Sequence, residues 1–189
     1  CGEFTIIKNE DEAVQRCSGG SECSFSKKES LKHFVSKKAM NIEGLGEKQI
    51  ERFMELEILK NKSDIYNIFK FEDKIIKLEG YGEKSFLNII NSINHSKKTS
   101  LTRYLLSLGL RYVGENNSEL LAQFFQSKER FKKLINTKDL KIDLTNIDGL
   151  GKKAVDSFIS YFKDKNNKLE AIEIIKQLNI KPILIKNNL

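Results

Sequence analysis

Apolar residues recur along most of this chain with the period of helices that bury one face, and they do so in four similar passages. Counting from a glycine, the fourth, seventh and eighth following positions are Ile50, Phe53 and Met54 after Gly46, Phe86, Ile89 and Ile90 after Gly82, and Val155, Phe158 and Ile159 after Gly151. Those offsets fall on one side of a helix. The passage after Gly114 holds Ser118, Leu121 and Ala122 there, a smaller face that calls for closer packing or for a hairpin specialised for another task. Upstream of these helices, Leu31, Phe34, Val35 and Ile42 form one apolar side, and Leu101, Tyr104, Leu105 and Leu108 form another, with Ser100 placed to cap its helix. Past Lys163 the helical pattern continues through Leu169, Ile172, Ile175 and Leu178, and residues 181–189, with Pro182, read as a departing linker. Nothing in the stripes resembles a cofactor pocket, so they are read as core.

Residues 1–28 follow another pattern. Phe4 to Lys8 and Ala13 to Arg16 are short β-prone stretches about a polar turn, followed by the glycine-rich loop from Cys17 to Cys23. They predict a small ribbon with little core of its own.

The helical passages are joined by short glycine pairs: Glu43-Gly44-Leu45-Gly46, Glu79-Gly80-Tyr81-Gly82 and Asp148-Gly149-Leu150-Gly151, with a weaker version at Arg111-Tyr112-Val113-Gly114. The second glycines are 36, 32 and 37 residues apart, the spacing of one supersecondary unit copied several times. The local plan is helix, hairpin, helix. Glycine permits positive φ in such a connection and lets another backbone approach closely. The helix that follows presents unpaired amides and the positive end of its dipole, which together suit a phosphate. Lys48, Lys84, Lys152 and Lys153 add charge to the first turns. Simple helix capping explains one such pair, but it requires neither the second glycine nor the nearby base. A dinucleotide-binding reading fails for want of flanking strands and of a third glycine at the required spacing.

Composition sharpens the choice of partner. Lys plus Arg number 33 against 26 Asp plus Glu, giving net charge +7 and a pI near 9.2, which favours polyanions. No apolar run approaches the roughly 20 residues of a spanning helix, and no amino-terminal signal pattern is present, so a membrane partner is not expected and a cytoplasmic setting is. Amides and lysines that contact phosphate and sugar position DNA without reading its bases, so sequence-nonspecific binding is the expectation.

Three cysteines bear on the ribbon. Cys1, Cys17 and Cys23 offer three thiolates where a structural zinc takes four ligands, and an odd count argues against disulfides. A fourth cysteine on the amino side of Cys1 would complete a C-x2-C-x15-C-x5-C site, so a truncated finger in a piece of a longer chain is expected. His33 could stand in for it, but its neighbours Phe34 and Val35 face the core, and it reads instead as a surface or DNA-facing side chain.

These motifs, in this order, resemble the bacterial NAD-dependent DNA ligases. Cys23 to Lys48, with Lys28-Glu-Ser-Leu-Lys-His-Phe-Val-Ser-Lys-Lys-Ala-Met-Asn-Ile-Glu-Gly-Leu-Gly46, looks like the passage joining that family's four-cysteine zinc finger to its first helix-hairpin-helix unit. Leu78 to Ser85 and Leu108 to Glu115 look like later parts of the same domain. The resemblance implies a mainly α fold of tandem helix-hairpin-helix repeats, in two double-hairpin halves, behind a small zinc-ribbon element. On that plan residues 1–28 are the finger remnant, 29–98 hold units one and two, 99–180 hold units three and four, and 181–189 lead toward a BRCT domain. Cys1, Cys17 and Cys23 then match zinc ligands, and Gly44, Gly46, Gly80, Gly82, Arg111, Gly114, Gly149 and Gly151 match the family's DNA-gripping positions.

The resemblance also implies a division of labour. The family's nucleotidyl-transfer lysine lies in a Lys-x-Asp-Gly motif, which does not occur here, and the NAD site and oligonucleotide-binding barrel belong to other domains of the same ligase. The expectation is a monomeric, non-catalytic clamp on duplex, nicked DNA, serving an enzyme of replication and repair. Two other classes are weighed against it. A hairpin-class glycosylase should carry a Gly/Pro-rich loop and catalytic Asp after one dominant hairpin, whereas the only proline here lies far from any hairpin. An adaptor of a recombination or excision-repair complex is the remaining alternative.

Overall fold

Gly44, Gly80 and Gly149 all have φ between +81° and +85°, and each is followed two residues later by a glycine that opens a helix. The computed structural model describes residues 2, 5–6, 16–18, 23–137 and 142–183. Cys1 and residues 184–189, which carry expectations made above, lie outside them.

In chain order the elements are β1 (Thr5–Ile6), β2 (Arg16–Cys17), α1 (Ser24–Val35), α2 (Glu47–Glu55), a 3-10 helix (Ser63–Phe71) running into α3 (Glu72–Ile75), α4 (Glu83–Ser96), β3 (Lys98–Thr99), α5 (Leu101–Ser107), α6 (Glu115–Phe125), α7 (Lys128–Ile135), α8 (Lys152–Lys163), α9 (Lys165–Gln177) and β4 (Asn179–Ile180). The protein is mainly helical. β1 and β2 pair antiparallel, Thr5 with Cys17 and Ile6 with Arg16, which is the part of the expected ribbon that lies within the described residues.

The helical period places the core where the spacing predicts. Ile50, Phe53, Phe86, Ile89, Val155, Phe158, Leu121, Ala122 and Ser118 are buried, with Met54, Ile90 and Ile159 half-buried beside them. Leu31, Phe34 and Val35 from α1, and Leu101, Tyr104 and Leu105 from α5, join the same cluster. Ser100 caps α5 as expected, its hydroxyl accepting from Arg103 N at 3.2 Å. At the carboxy-terminal side, aromatic rings interlock: Phe125 and Phe131 have centroids 5.0 Å apart at 87°, Phe158 and Phe162 lie 4.6 Å apart, and Tyr104 meets Phe131 edge-on at 5.6 Å. Edge-on and tilted pairs are the favoured arrangements of such rings.

One core spans residues 31–180, and polar contacts tie its early and late parts. Arg103 donates to the carbonyls of Ala39 at 2.8 Å and Lys37 at 2.6 Å, and Tyr104 donates its hydroxyl to Ala171 O at 2.8 Å. Lys62 is buried, donating through Nζ to Leu108 O at 3.0 Å and standing 3.7 Å from the Glu170 carboxylate. β3 and β4 pair in parallel, Lys98 with Asn179 and Thr99 with Ile180, so the end of the helical region returns to its middle.

Three expectations are corrected. His33 is not simply a surface side chain: it is half-buried, and its Nε2 lies 2.8 Å from the Leu106 carbonyl oxygen at the end of α5. The face of α9 is the predicted one in part: Ile175 and Leu178 are buried and Ile172 packs half-buried on the core, but Ala171 and Ile174 are buried as well while Leu169 is exposed. Ile42 is core, as predicted, but from the loop after α1 and not from the helix.

Candidate functional site

The four hairpins share a construction in which the middle residue is a peg and the glycines are surface. Leu45, Val113 and Leu150 are buried and Tyr81 is half-buried, whereas Gly44, Gly46, Gly80, Gly82, Gly114, Gly149 and Gly151 are exposed. The peg's amide donates to the carbonyl three residues back in hairpins two, three and four: Tyr81 to Leu78 at 3.0 Å, Val113 to Leu110 at 3.1 Å and Leu150 to Ile147 at 3.1 Å. Apolar anchoring thus holds a strip of backbone at the surface.

The first glycine of each pair has an internal reason. Positive φ strains any residue with a side chain. At Gly44 a Cβ would also stand 2.9 Å from Ile89 Cγ1, and at Gly149 it would stand 3.4 Å from Leu120 Cδ1. Hairpin one therefore packs on α4 of the second unit, and Glu43 N donates to Ser92 Oγ there at 2.7 Å. Tyr81 of hairpin two returns the contact, its ring 5.5 Å from Phe53 of α2. Hairpin four lies likewise on α6, and the Tyr112 ring of hairpin three faces Lys153 of α8 at 5.8 Å.

The second glycines have no such reason. Gly82, Gly114 and Gly151 have φ of −142°, −83° and −65°, open to any residue, and a Cβ there would meet nothing within 4 Å. Gly46, at φ −72°, would meet only the mobile end of Gln49. These four glycines open α2, α4, α6 and α8 without any side-chain capping hydrogen bond. The other helices that start from a loop are treated differently: Cys23, Ser100, Ser127 and Asp164 cap α1, α5, α7 and α9 through their side chains. Among the α-helices of the described residues that start from a loop, those at the hairpins present a bare amino terminus to the outside, where amides and dipole favour an anion.

Charge is distributed around these termini. Lys48, Lys84, Lys152 and Lys153 are exposed on the first turns, and Arg111 is half-buried with its guanidinium 4.6 Å from the Tyr112 ring. Three of the four helices begin with an acid, Glu47, Glu83 or Glu115, while α8 begins with two lysines. Two of those acids are answered by lysines from elsewhere. Glu47 is met by Lys32 at 3.0 Å and Lys28 at 3.6 Å, and Glu115 by Lys38 at 2.9 Å. The hydrogen bond from Lys32 holds the Glu47 carboxyl below its ordinary value, and that from Lys38 does the same for Glu115. The field at these termini is thereby kept from turning anionic.

At the other end of the chain, Cys23 caps α1: its sulfur accepts from Ser26 N at 3.4 Å. Hydrogen bonds from Ser26, aided by Cys17, lower its thiol to about 7. Two thiols in contact, one of them prone to ionise, suit a thiolate-binding metal. Among the described residues no group of three metal-binding side chains forms, and Cys1 lies outside them.

Sequence reasoning found the glycines and first-turn lysines but missed Tyr112, which takes the first glycine's place in hairpin three at φ +60°, and the neutralising Lys28, Lys32 and Lys38. The alignment of the four hairpins contained the first signal; the others reach their partners only through tertiary packing.

Comparison with known proteins gives the context. The helix-hairpin-helix motif family matches residues 103–170, which include hairpins three and four. A DNA ligase of Pelagibacter ubique is 38% identical over an alignment covering all of this chain and 28% of the relative. A DNA ligase of Mycoplasma capricolum is 39% identical over 93% of this chain and 25% of its own length, and one from Acinetobacter baumannii (strain AYE) is 43% identical over 67% and 19%. The chain thus spans between 19% and 28% of the length of these relatives. It is homologous to the DNA ligases over a segment that includes a helix-hairpin-helix motif.

Proposed function

We propose that this chain is a sequence-nonspecific DNA grip of a DNA ligase, in which four hairpins seat phosphates of duplex DNA on bare helix amino termini. The observation that carries the reading is the second glycine. Its φ is ordinary and a Cβ would meet nothing inside the protein at three of the four positions, so the requirement for glycine lies in what approaches from outside. A phosphodiester backbone needs that close approach, and amides at a helix terminus satisfy it without reading bases. Gly46, Gly82, Gly114 and Gly151 supply the amides, Lys48, Lys84, Lys152, Lys153 and Arg111 the charge, and Gly44, Gly80 and Gly149 the turns.

The reciprocal packing of hairpins one and two, and of three and four, supports a division into two double-hairpin halves, residues 29–98 and 99–180. In the parent enzyme the substrate is proposed to be nicked duplex, with NAD used by an adenylation domain elsewhere; no Lys-x-Asp-Gly motif occurs in this chain. Cys17 and Cys23, with Cys1 and a fourth ligand, would hold a structural zinc, which fixes the ribbon against the start of α1 and takes no part in ligation.

The test is a titration of a labelled duplex, nicked and intact, across ionic strength. With about six to eight phosphates neutralised, affinity should fall by roughly 10³ to 10⁵ between 50 and 200 mM salt, whatever the base sequence. A flat titration would sink the reading. Incubation with NAD should leave the chain without covalent adenylate.

A further inference from the structure

Tyr112 is the one bulky residue standing where the other three hairpins have the positive-φ glycine. Its φ is +60°, a conformation that strains residues with a Cβ, and Asn117 Nδ2 holds it by donating to its carbonyl at 2.7 Å. The residue is 42% exposed, so a large aromatic side chain stands partly in water on a backbone of positive φ. Strained residues that persist at surfaces are grounds for asking what their side chains do.

The surroundings narrow the answer. The guanidinium of Arg111 lies 4.6 Å from the ring centroid and the ammonium of Lys153 lies 5.8 Å from it, one cation from hairpin three and one from the first turn of α8. The ring therefore stands between the grips of the third and fourth units. It also lines an open cleft of about 570 Å³ whose other residues include Asp156 and Asp164. Those carboxylates disfavour a phosphate inside the cleft and leave the anions to the cationic rim. Successive phosphates of a nucleic acid strand are joined through a sugar. A flat apolar surface between two phosphate grips accordingly meets that sugar.

We propose that Tyr112 packs its ring on a deoxyribose of the strand held by hairpins three and four, adding a contact that does not depend on salt. The inference rests on the DNA-grip reading above. It does not follow from that reading, because amides and lysines alone would suffice for phosphate binding and glycine would be the unstrained choice at residue 112.

The experiment is a fluorescence-anisotropy titration of the 189-residue chain and its variants with a duplex, repeated at several salt concentrations. Tyr112→Ala and Tyr112→Gly should each weaken binding about tenfold at every salt concentration with an unchanged log–log slope, since a neutral ring releases no counterions. Tyr112→Phe should bind like the parent. Lys153→Ala, the electrostatic control, should reduce the slope by about one. Tyr112→Gly should melt no lower than the parent, because it removes the strain, and this separates lost contact from lost fold. Duplex labelled with 2-aminopurine should show no unstacking. Unaltered affinity in Tyr112→Ala, a loss carried by the salt slope, or 2-aminopurine brightening that marks an inserted ring would each overturn the sugar contact while leaving the DNA grip intact. Failure of the parent chain to bind any duplex would overturn both.

Discussion

Gly44 passes so close over Ile89 that a Cβ on it would stand 2.9 Å from Ile89 Cγ1, in a backbone at φ +85°. Three other glycines of the same motif family, Gly82, Gly114 and Gly151, face open space at ordinary φ. Two glycines separated by one residue thus have different physical causes, and substitution should separate them. Gly44→Ala should destabilise the fold by about 2 kcal/mol, from positive φ and the collision with a buried side chain. Gly82→Ala and Gly151→Ala should change stability by less than about 0.5 kcal/mol, since lost unfolded-state freedom offsets the poorer cap. Their duplex affinity should fall nevertheless. Denaturant melts and anisotropy on the same samples check this; a Gly151→Ala protein that binds like the parent would remove the main support for the grip.

The first turns are not electrically equal. α8 opens on Lys152 and Lys153 with no acid, while α2 and α6 open on acids already engaged by lysines of the α1 region. Hairpin four should therefore carry more of the counterion release than hairpin one. Lys152→Ala with Lys153→Ala should lower the salt slope by about two, and Lys48→Ala by no more than one. Equal slopes for these variants would show that the grip is spread evenly.

Ser118 occupies the position filled by Ile50, Phe86 and Val155 in the other units, and it is fully buried with no hydrogen-bond partner for its hydroxyl. Burying such a group costs about 1 to 3 kcal/mol. Ser118→Ala removes the unpaired hydroxyl and improves helix propensity, so it should raise stability by about 1 kcal/mol. Ser118→Val should lower it, because the space is cut to a small residue. Thermal melts of both would decide.

The helix periods and the glycine turns are legible in the sequence because their causes are local. A helix period and a glycine where φ must be positive leave marks within ten residues, and Ile50, Phe53, Phe86 and Phe158 are buried as their spacing demands. Other features depend on distant parts of the chain. The 3-10 helix is turned by Asp64, whose carboxylate accepts from the amides of Lys60 and Asn61 at 2.8 and 3.0 Å, and its burial depends on α9. α7 is short, and its Ser127 cap is plain only once α6 is known to end at Gln126 with φ +63°. The β3–β4 pairing joins residues about eighty apart and leaves no pattern in either dipeptide. The place of His33 is not legible in the sequence, because imidazole suits a metal, solvent or a carbonyl equally well; the position of Leu106 chooses.

The proposed metal site should be separable from the rest of the fold. The core cluster of the described residues runs from Leu31, and Cys23, buried ahead of it, caps α1. Cobalt(II) added to the reduced chain should give thiolate charge-transfer absorption that Cys23→Ser and Cys17→Ser each weaken. Removing the metal with a chelator should leave the far-ultraviolet helical signal nearly intact. Melting of the whole chain on chelation would show instead that the ribbon is part of the cooperative unit.

Lys62 and Glu170 form a deeply buried ion pair, with side chains 8% and 16% exposed, and the same carboxylate accepts the Lys62 amide at 2.6 Å. Breaking such a pair from one side strands a charge, so Lys62→Met should destabilise the protein by about 3 kcal/mol. Adding Glu170→Gln removes the stranded charge and keeps an acceptor for the amide, so the double variant should recover part of the loss. The pH dependence has a definite sign. Burial holds the Lys62 ammonium below its ordinary value in spite of Glu170, so between the two values the unfolded chain binds more protons and stability rises with pH. Burial acts oppositely on the phenols, raising Tyr66 to about 12 and raising Tyr104 and Tyr161 as well, so their contribution falls once pH passes the ordinary tyrosine value. The two trends overlap, and the informative quantity is the difference between parent and Lys62→Met in urea melts taken across the alkaline range. That difference should grow with pH as the parent sheds its buried charge. A difference independent of pH would mean that Lys62 keeps its proton in the folded state as readily as in the unfolded chain.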